Sequence, residues 1–182
     1  SELYVRLAGV VMTWNVFQHF YPYFEDGGTG WNSQLDRFLA AAYDDKDDVE
    51  YLFTLREMTA GLKDCLATVD HPLVKGNSGF PFKVEWIEDR AVITYSRDML
   101  FERGDVIKAI DGVDIKKYLE WSERFISGSP QWKRQLAMRL FGRGPDGTEE
   151  GEHLLVLCGA RRRIAAERAA QPVQLDALVG IV

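Results

Sequence analysis

A chain of 182 residues has room for one ordinary domain or two small ones, and a composition with 46% hydrophobic residues, including five Trp, seven Tyr and ten Phe, excludes a mainly disordered chain. A formal charge of -6 with a single basic run, Arg161 to Arg163, excludes the concentrated basic face of a nucleic-acid binder. No apolar run approaches the roughly 20 residues that a membrane-spanning helix needs.

From Leu3 to Tyr21 the apolar positions Leu3, Leu7, Val10, Trp14, Phe17 and Tyr21 alternate spacings of four and three, which predicts one buried helical face, and Pro22 ends it. The loop Glu25 to Gly30 carries three glycines. Asn32 or Ser33 then caps a second helix buried through Leu35, Phe38, Leu39 and Ala42. The acidic run Asp44, Asp45, Asp47 and Asp48 lacks the loop glycine and distal Glu of a calcium loop. It reads as a turn, with Asp48 capping a third helix (Tyr51, Leu55, Met58, Leu62).

Past the Gly/Asn/Ser linker Lys75 to Gly79 the period becomes alternating. Phe82, Val84 and Trp86 alternate with Lys83 and Glu85, Glu88 to Arg90 turns, and Ala91 to Tyr95 returns as a second strand. Val106 to Ile110 is a third strand, closed by the Asp111-Gly112 turn, and Val113 to Ile115 a fourth. A helix follows from about Lys116 to Phe125. Ser129-Pro130 opens another, with Trp132, Leu136 and Leu140 as its buried face. After the turn-rich loop Gly142 to Gly147, His153 to Cys158 is the fifth strand. The fold class is α+β: a three-helix domain, then a small barrel of about five strands with two helices.

Cys65 and Cys158 lie far apart and match no metal spacing, so two unpaired thiols are expected, and no motif for a metal or other cofactor is read. No serine forms a hydrolase constellation: Ser78, Ser96, Ser127 and Ser129 fall in a linker, a strand end and caps, none in a Gly-x-Ser-x-Gly elbow. Both ends read as cut. Ser1 immediately precedes a helical pattern, and the apolar stretch Val173 to Val182 would be left half-buried without a continuation.

The stretch Leu100-Phe101-Glu102-Arg103-Gly104-Asp105-Val106-Ile107-Lys108-Ala109-Ile110-Asp111-Gly112 resembles a segment shared by bacterial PDZ domains, and Leu140 to Thr148 with Leu154 to Leu157 is similar to the end of that module. Upstream, Trp14-Asn15-Val16-Phe17-Gln18-His19-Phe20-Tyr21-Pro22-Tyr23, Gly30-Trp31 and Leu62-Lys63-Asp64 resemble the helical domain that precedes the PDZ domain in C-terminal-processing (tail-specific) and tricorn-like serine peptidases. The resemblance implies a helical cap domain over 1-74, a linker over 75-80, a PDZ-like domain over 81-170, and over 171-182 the start of a catalytic core that lies outside the chain. It implies a polypeptide partner whose C-terminus is captured by strand addition, the missing core as a second partner, and a periplasmic, cell-envelope or secreted location in a bacterium. The nucleophilic Ser of the family lies beyond the PDZ domain, so no catalytic residue carries over.

Three departures stand out. Where relatives carry an Asp-Gly/Ser-His triplet the chain reads Asp64-Cys65-Leu66, with His71 the nearest substitute. The small helix expected before the Gly-Asp turn is absent. Gly79-Phe80-Pro81-Phe82 replaces a glycine-rich carboxylate loop, and Pro81 has no N–H. The expected peptide-binding residues are Phe80 and Phe82 as pocket lining, Lys83, Val84 and Glu85 in the edge strand that runs to Ile87, and Gln135, Leu136 and Arg139 on the facing helix. The competing reading makes Phe82, Trp86 and Leu136 plain core. A free-standing PDZ-like adaptor or a structural spacer remains the alternative to a peptidase's recognition region.

Overall fold

The computed structural model describes residues 2–24, 30–72, 80–110 and 112–141, together with the backbone of 164–167. The chain divides into two compact units, the first comprising Ser1–Val74 with Ser122–Arg134, the second Lys75–Trp121 with Gln135–Val182. The segment Ser122–Arg134 thus falls with the helical unit although it lies between parts of the second in sequence.

In the first unit α1 (Leu3–Phe20) ends where Pro22 cannot continue it, with the Tyr21 N–H closing the last turn on the Phe17 carbonyl. Its inward face is the predicted one except at its start. Val10 is fully buried, Leu7, Trp14, Phe17 and Tyr21 pack on the core, and Leu3 is exposed. A residue outside the apolar pattern, Arg6, is also buried, its Nε donating to the Ala42 carbonyl at 3.0 Å. Gly30, at φ +57°, starts a 3₁₀ turn (Trp31–Ser33) that leads into α2 (Gln34–Asp44). Ser33 occupies the cap position, but its hydroxyl bonds back to the Gly30 carbonyl rather than to the helix. Phe38 and Ala42 are buried, with Leu35 and Leu39 packed beside them.

The third helix, α3 (Asp48–Ala60), is capped by Asp47, one residue before the expected Asp48. Its Oδ1 accepts from the N–H groups of Val49 and Glu50 at 2.9 Å each, and Asp48 becomes a first-turn carboxylate. The core closes around Val10, Trp31, Phe38, Ala42, Met58 and Leu62. Trp14 and Trp31 lock it reciprocally, each indole Nε1 donating to the other's carbonyl at 3.1 and 3.2 Å. Gly9 permits close approach of α1 and α3, since a Cβ there would lie 2.0 Å from Tyr51 Oη.

The second unit holds an antiparallel sheet of five strands: β1 (Phe82–Ile87), β2 (Arg90–Ser96), β3 (Val106–Ile110), β4 (Val113–Asp114) and β5 (Ile164–Glu167). The order is β1-β2-β3-β4, with β5 also on β3. At Ala109 and Ile110 both β4 and β5 pair with β3, so β5 takes the edge opposite β2 and β4. Ala91, Val92 and Ile93 are buried in succession, as in a central strand covered on both faces. The Gly104-Asp105 turn hooks onto that strand: the Ile93 N–H donates to the Asp105 carbonyl and the Gly104 N–H to the Ile93 carbonyl, both at 2.8 Å. Gly104 has φ +99°, and the buried Asp105 carboxylate accepts from the Glu102 N–H.

Asp114 ends β4 and starts α4 (Ile115–Glu123), its Oδ1 accepting from the Lys116 N–H at 2.9 Å, so Ile115 is helical rather than in the strand. Ser129 caps α5 (Pro130–Leu140) as expected, its Oγ accepting from the Trp132 N–H. The buried residues of α5 are Ala137 and Met138, whereas Leu140 is exposed and Trp132 and Leu136 are half-buried. Strand β5 was not expected. The predicted loop Gly142 to Gly147, the strand His153 to Cys158 and the linker Lys75 to Gly79 lie outside the described residues.

Candidate functional site

The expected docking strand is β1, and its backbone orientation follows from two anchors. The Arg97 N–H donates to the Pro81 carbonyl at 2.7 Å, so Pro81 faces β2. At the other end of the register Val84 lies opposite Ile93, whose own N–H and carbonyl are used on the far side by Asp105 and Gly104. Val84 therefore faces away from β2. Because N–H and C=O groups alternate sides along a strand, Lys83, Glu85 and Ile87 face β2, while Phe82, Val84 and Trp86 turn toward the other edge. Among the described residues β1 pairs with β2 alone. The extra residue that shifts the register between Lys83 and Val84 is carried by β2 at Thr94, so the outer edge of β1 stays regular.

Pro81 lies at a bend immediately before β1, with its carbonyl held by the Arg97 N–H. The start of β1 is closed by aromatic rings. Phe80 stacks on Phe82 with centroids 5.0 Å apart and planes at 14°, and meets Phe141 at 5.5 Å. Phe82 lies 5.0 Å from Phe101, and Phe141 lies edge-on to Tyr118 at 5.8 Å. Phe82 is 7% exposed, Phe80, Val84 and Trp86 are half-buried, and Lys83 and Glu85 are on the exposed face, where Glu85 accepts from Thr94 Oγ1. Gln135 and Arg139 are exposed on α5 and Leu136 is half-buried. The structure brings Phe80 and Phe82 together with Phe101 and Phe141, two residues that the sequence reading left out of the pocket. Their signal was placement, an aromatic just before the Gly-Asp turn and another just after a helix.

The second place of interest is the turn Asp64-Cys65-Leu66 in the helical unit. Asp64 fixes it three ways: its N–H donates to Ser127 Oγ at 2.9 Å, its Oδ1 accepts from the Leu66 N–H at 2.9 Å, and its carbonyl accepts from the Ala67 N–H at 3.0 Å. Burial, followed by the neighbouring Asp64 carboxylate, pushes the Tyr21 hydroxyl above its usual range. Gly128, at φ +129°, packs against Cys65 and the Trp132 ring, and an added Cβ would lie 2.5 Å from Trp132 Cδ1. At the end of this well-held turn Leu66 is 85% exposed and Cys65 is exposed. The third residue of the turn is thus an exposed aliphatic group. His71 is half-buried.

Three of the described serines serve the backbone: Ser96 ends β2 and bonds to Asp98, Ser127 receives Asp64, and Ser129 caps α5. Among the described residues no helix is long and apolar enough to cross a membrane, and no group of three metal-ligating side chains converges.

The fold thus defined is α+β, with a helical unit and an antiparallel sheet flanked by helices. It is shared with mature CPAF, a chlamydial serine protease. Against CPAF complexed with lactacystin the TM-score is 0.62 at 13% identity, covering 90% of this chain and 34% of that one. Mature CPAF alone gives 0.54 at 14% identity and a serine-to-alanine mutant gives 0.56 at 13%, each over 74% of this chain and 27% of that one. The chain spans about a third of the length of the first of these structures. No family model and no curated protein matches the sequence.

Proposed function

We propose that the chain is the non-catalytic polypeptide-recognition region of a serine-type peptidase, and that it holds substrate by adding an extended segment to the outer edge of β1. The observation that carries this reading is the edge of β1 at Phe82 and Val84, whose backbone groups turn away from β2 at the two-residue spacing that an added strand matches. The likeness to CPAF over 90% of the chain supports the peptidase context. The exposed Leu66 and the engaged serines are consistent with the chemistry residing elsewhere. An envelope or extracellular location in a bacterium belongs to the same proposal and is tested by fractionating cells that express the tagged natural protein.

Strand addition is tested with extended peptides N-methylated at single positions, binding being read from Trp fluorescence. Methylating an N–H that pairs with β1 removes one backbone hydrogen bond and is expected to weaken binding roughly fivefold to tenfold, whereas methylation one residue along leaves it unchanged. Val84→Pro removes a donor from the outer edge and not from the β2 ladder, so it should weaken binding while the protein stays folded. Equal effects at odd and even peptide positions would reject strand addition even if the proline variant fails to fold.

A further inference from the structure

A surface helix ordinarily turns an apolar stripe to its core and charged or polar residues to water, and a helix that is apolar all round is covered all round. Helix α2 follows the first pattern, with Phe38 and Ala42 buried and Asp36 and Arg37 exposed. Helix α1 does not. From Leu3 to Phe20 its sequence contains no Asp, Glu or Lys, and its one Arg, Arg6, turns inward to the Ala42 carbonyl. Val10 fills the core, while Tyr4 is 68%, Met12 67% and Phe20 81% exposed, and Val5, Ala8 and Val16 are exposed with them. Asn15, on the same side, folds its amide back onto the helix, Nδ2 donating to the Val11 carbonyl at 2.9 Å.

Tyr4, Ala8, Met12, Val16 and Phe20 follow one another at a constant spacing of four, so they form a single ridge across the exposed face. Ridges of this kind pack against one another when two helices cross at about 50°. The ridge is balanced about Met12, with a small residue and an aromatic before it and a branched residue and an aromatic after it. A two-fold axis at Met12 lays the ridge of one copy along that of another in reverse order. Met12 then meets its own copy, Ala8 of each meets Val16 of the other, and Tyr4 of each lies toward Phe20 of the other. The reversed order also keeps like helix ends apart.

We propose that two copies of the chain associate through this ridge, α1 crossing α1 of the second copy about a two-fold axis at Met12. Charge and size both select a second copy as the occupant. At a formal charge of -6 two copies repel least where they meet through a face without charged side chains, and the ridge is such a face. A membrane surface is a poorer match, because an interfacial helix carries Lys or Arg on its polar side and the only such residue of α1 is buried. The exposed side chains of the ridge offer on the order of 500 Å² per copy, hence about 1,000 Å² in all, the size of a specific but reversible contact.

The test follows the full chain by sedimentation velocity over about 5 to 500 μM, the range in which a contact of this size dissociates. A monomer–dimer equilibrium is expected, without larger species, because a two-fold contact closes on itself. Met12→Glu and Met12→Lys each set like charges together on the axis, and each should weaken the dimer at least about tenfold. An equimolar mixture of the two should restore it, since opposite charges then meet. Leu66→Glu, at an exposed site outside α1, should leave the dimer unchanged. Circular dichroism checks the fold of each variant, and Val16→Glu repeats the test one turn along if a Met12 variant is unfolded. A parent that stays monomeric throughout, association that Met12→Glu does not weaken, a mixture that does not reassociate, or equal loss in Leu66→Glu overturns the proposal.

Discussion

Asp45 sits at the C-terminal end of α2, where the helix dipole already disfavours a negative charge. One carboxylate oxygen accepts from Thr54 Oγ1 at 3.2 Å, and the other, Oδ2, is buried without a hydrogen-bond partner among the described residues. Burial is the largest influence and raises the pKa; the Thr54 hydroxyl and Arg6 pull it back, and Glu50 and Asp44 push it up. The folded state therefore holds this proton more tightly than the unfolded chain does. The resulting contribution to stability is complete below the unfolded value of about 3.9 and is lost as pH rises through the folded value. Asp45→Asn keeps an acceptor for Thr54 without the charge. The variant should be more stable than the parent near pH 7, and its advantage should shrink toward zero at about pH 3.5, measured by urea unfolding at both. A variant equal to the parent at neutral pH would show that the carboxylate is comfortably solvated. The same acidic run shows where sequence reading stops: a helix start was legible, but Asp47 and Asp48 are chemically equal caps. Only the extended backbone of Asp47, at φ -143° and ψ 178°, selects it.

At the scale of the element, the β1–β2 hairpin was legible from alternation and from its interruption at Glu88 to Arg90. Its turn type was not, because Glu88 is not a residue that favours positive φ, and Asp89 accepts it less readily than glycine. Both adopt it, at 48° and 61°, as a two-residue turn matched to strand twist requires. A non-glycine residue in this region costs about 1–2 kcal/mol, and glycine at the second position removes most of that. Asp89→Gly also removes an exposed ion pair with Lys116, a contact worth about 0–1 kcal/mol. A net gain of about 0.5–1 kcal/mol is expected, and it should grow in about 1 M salt, where the pair in the parent is screened. Thermal unfolding at both salt concentrations decides it; a lower midpoint in high salt would mean the turn is not strained. Helix α5 marks another limit. Trp132, Leu136 and Leu140 form one apolar stripe, and Ala137, Met138 and Phe141 another. Periodicity cannot rank two stripes on one helix, and Ala137, Met138 and Phe141 are the ones buried. At β5 the sequence Ile164-Ala165-Ala166-Glu167 has little strand character of its own, and only its pairing with β3 makes it one.

At the scale of the whole molecule, the order of parts along the chain carried the fold class, because helical and alternating periods occupy separate stretches. The membership of Ser122–Arg134 in the helical unit left no such mark. The loop at Ile126, Ser127 and Gly128 reads as an ordinary connection, and composition cannot show that it returns to a core built from residues far upstream. The contacts inside that unit say how much depends on it. Phe125 meets Phe53 edge-on at 4.7 Å, Arg124 reaches Glu57 at 3.2 Å while Arg37 holds the same carboxylate, and Ser127 receives the Asp64 N–H. Ile126 and Ser127 are buried within it. A fragment of residues 1–74 alone would expose Phe53 and leave the Asp64 N–H without its protein partner. With a large aromatic side chain and a part-buried hydrogen bond lost together, the deficit is on the order of 3–5 kcal/mol, comparable with the stability of so small a unit. That fragment should melt broadly and early by circular dichroism. The same fragment joined through a short Gly/Ser linker to residues 122–134 should recover a cooperative transition. If 1–74 alone unfolds as sharply and at the same temperature as the joined form, the helical unit ends at Val74 and the returning segment is an accessory rather than part of its core.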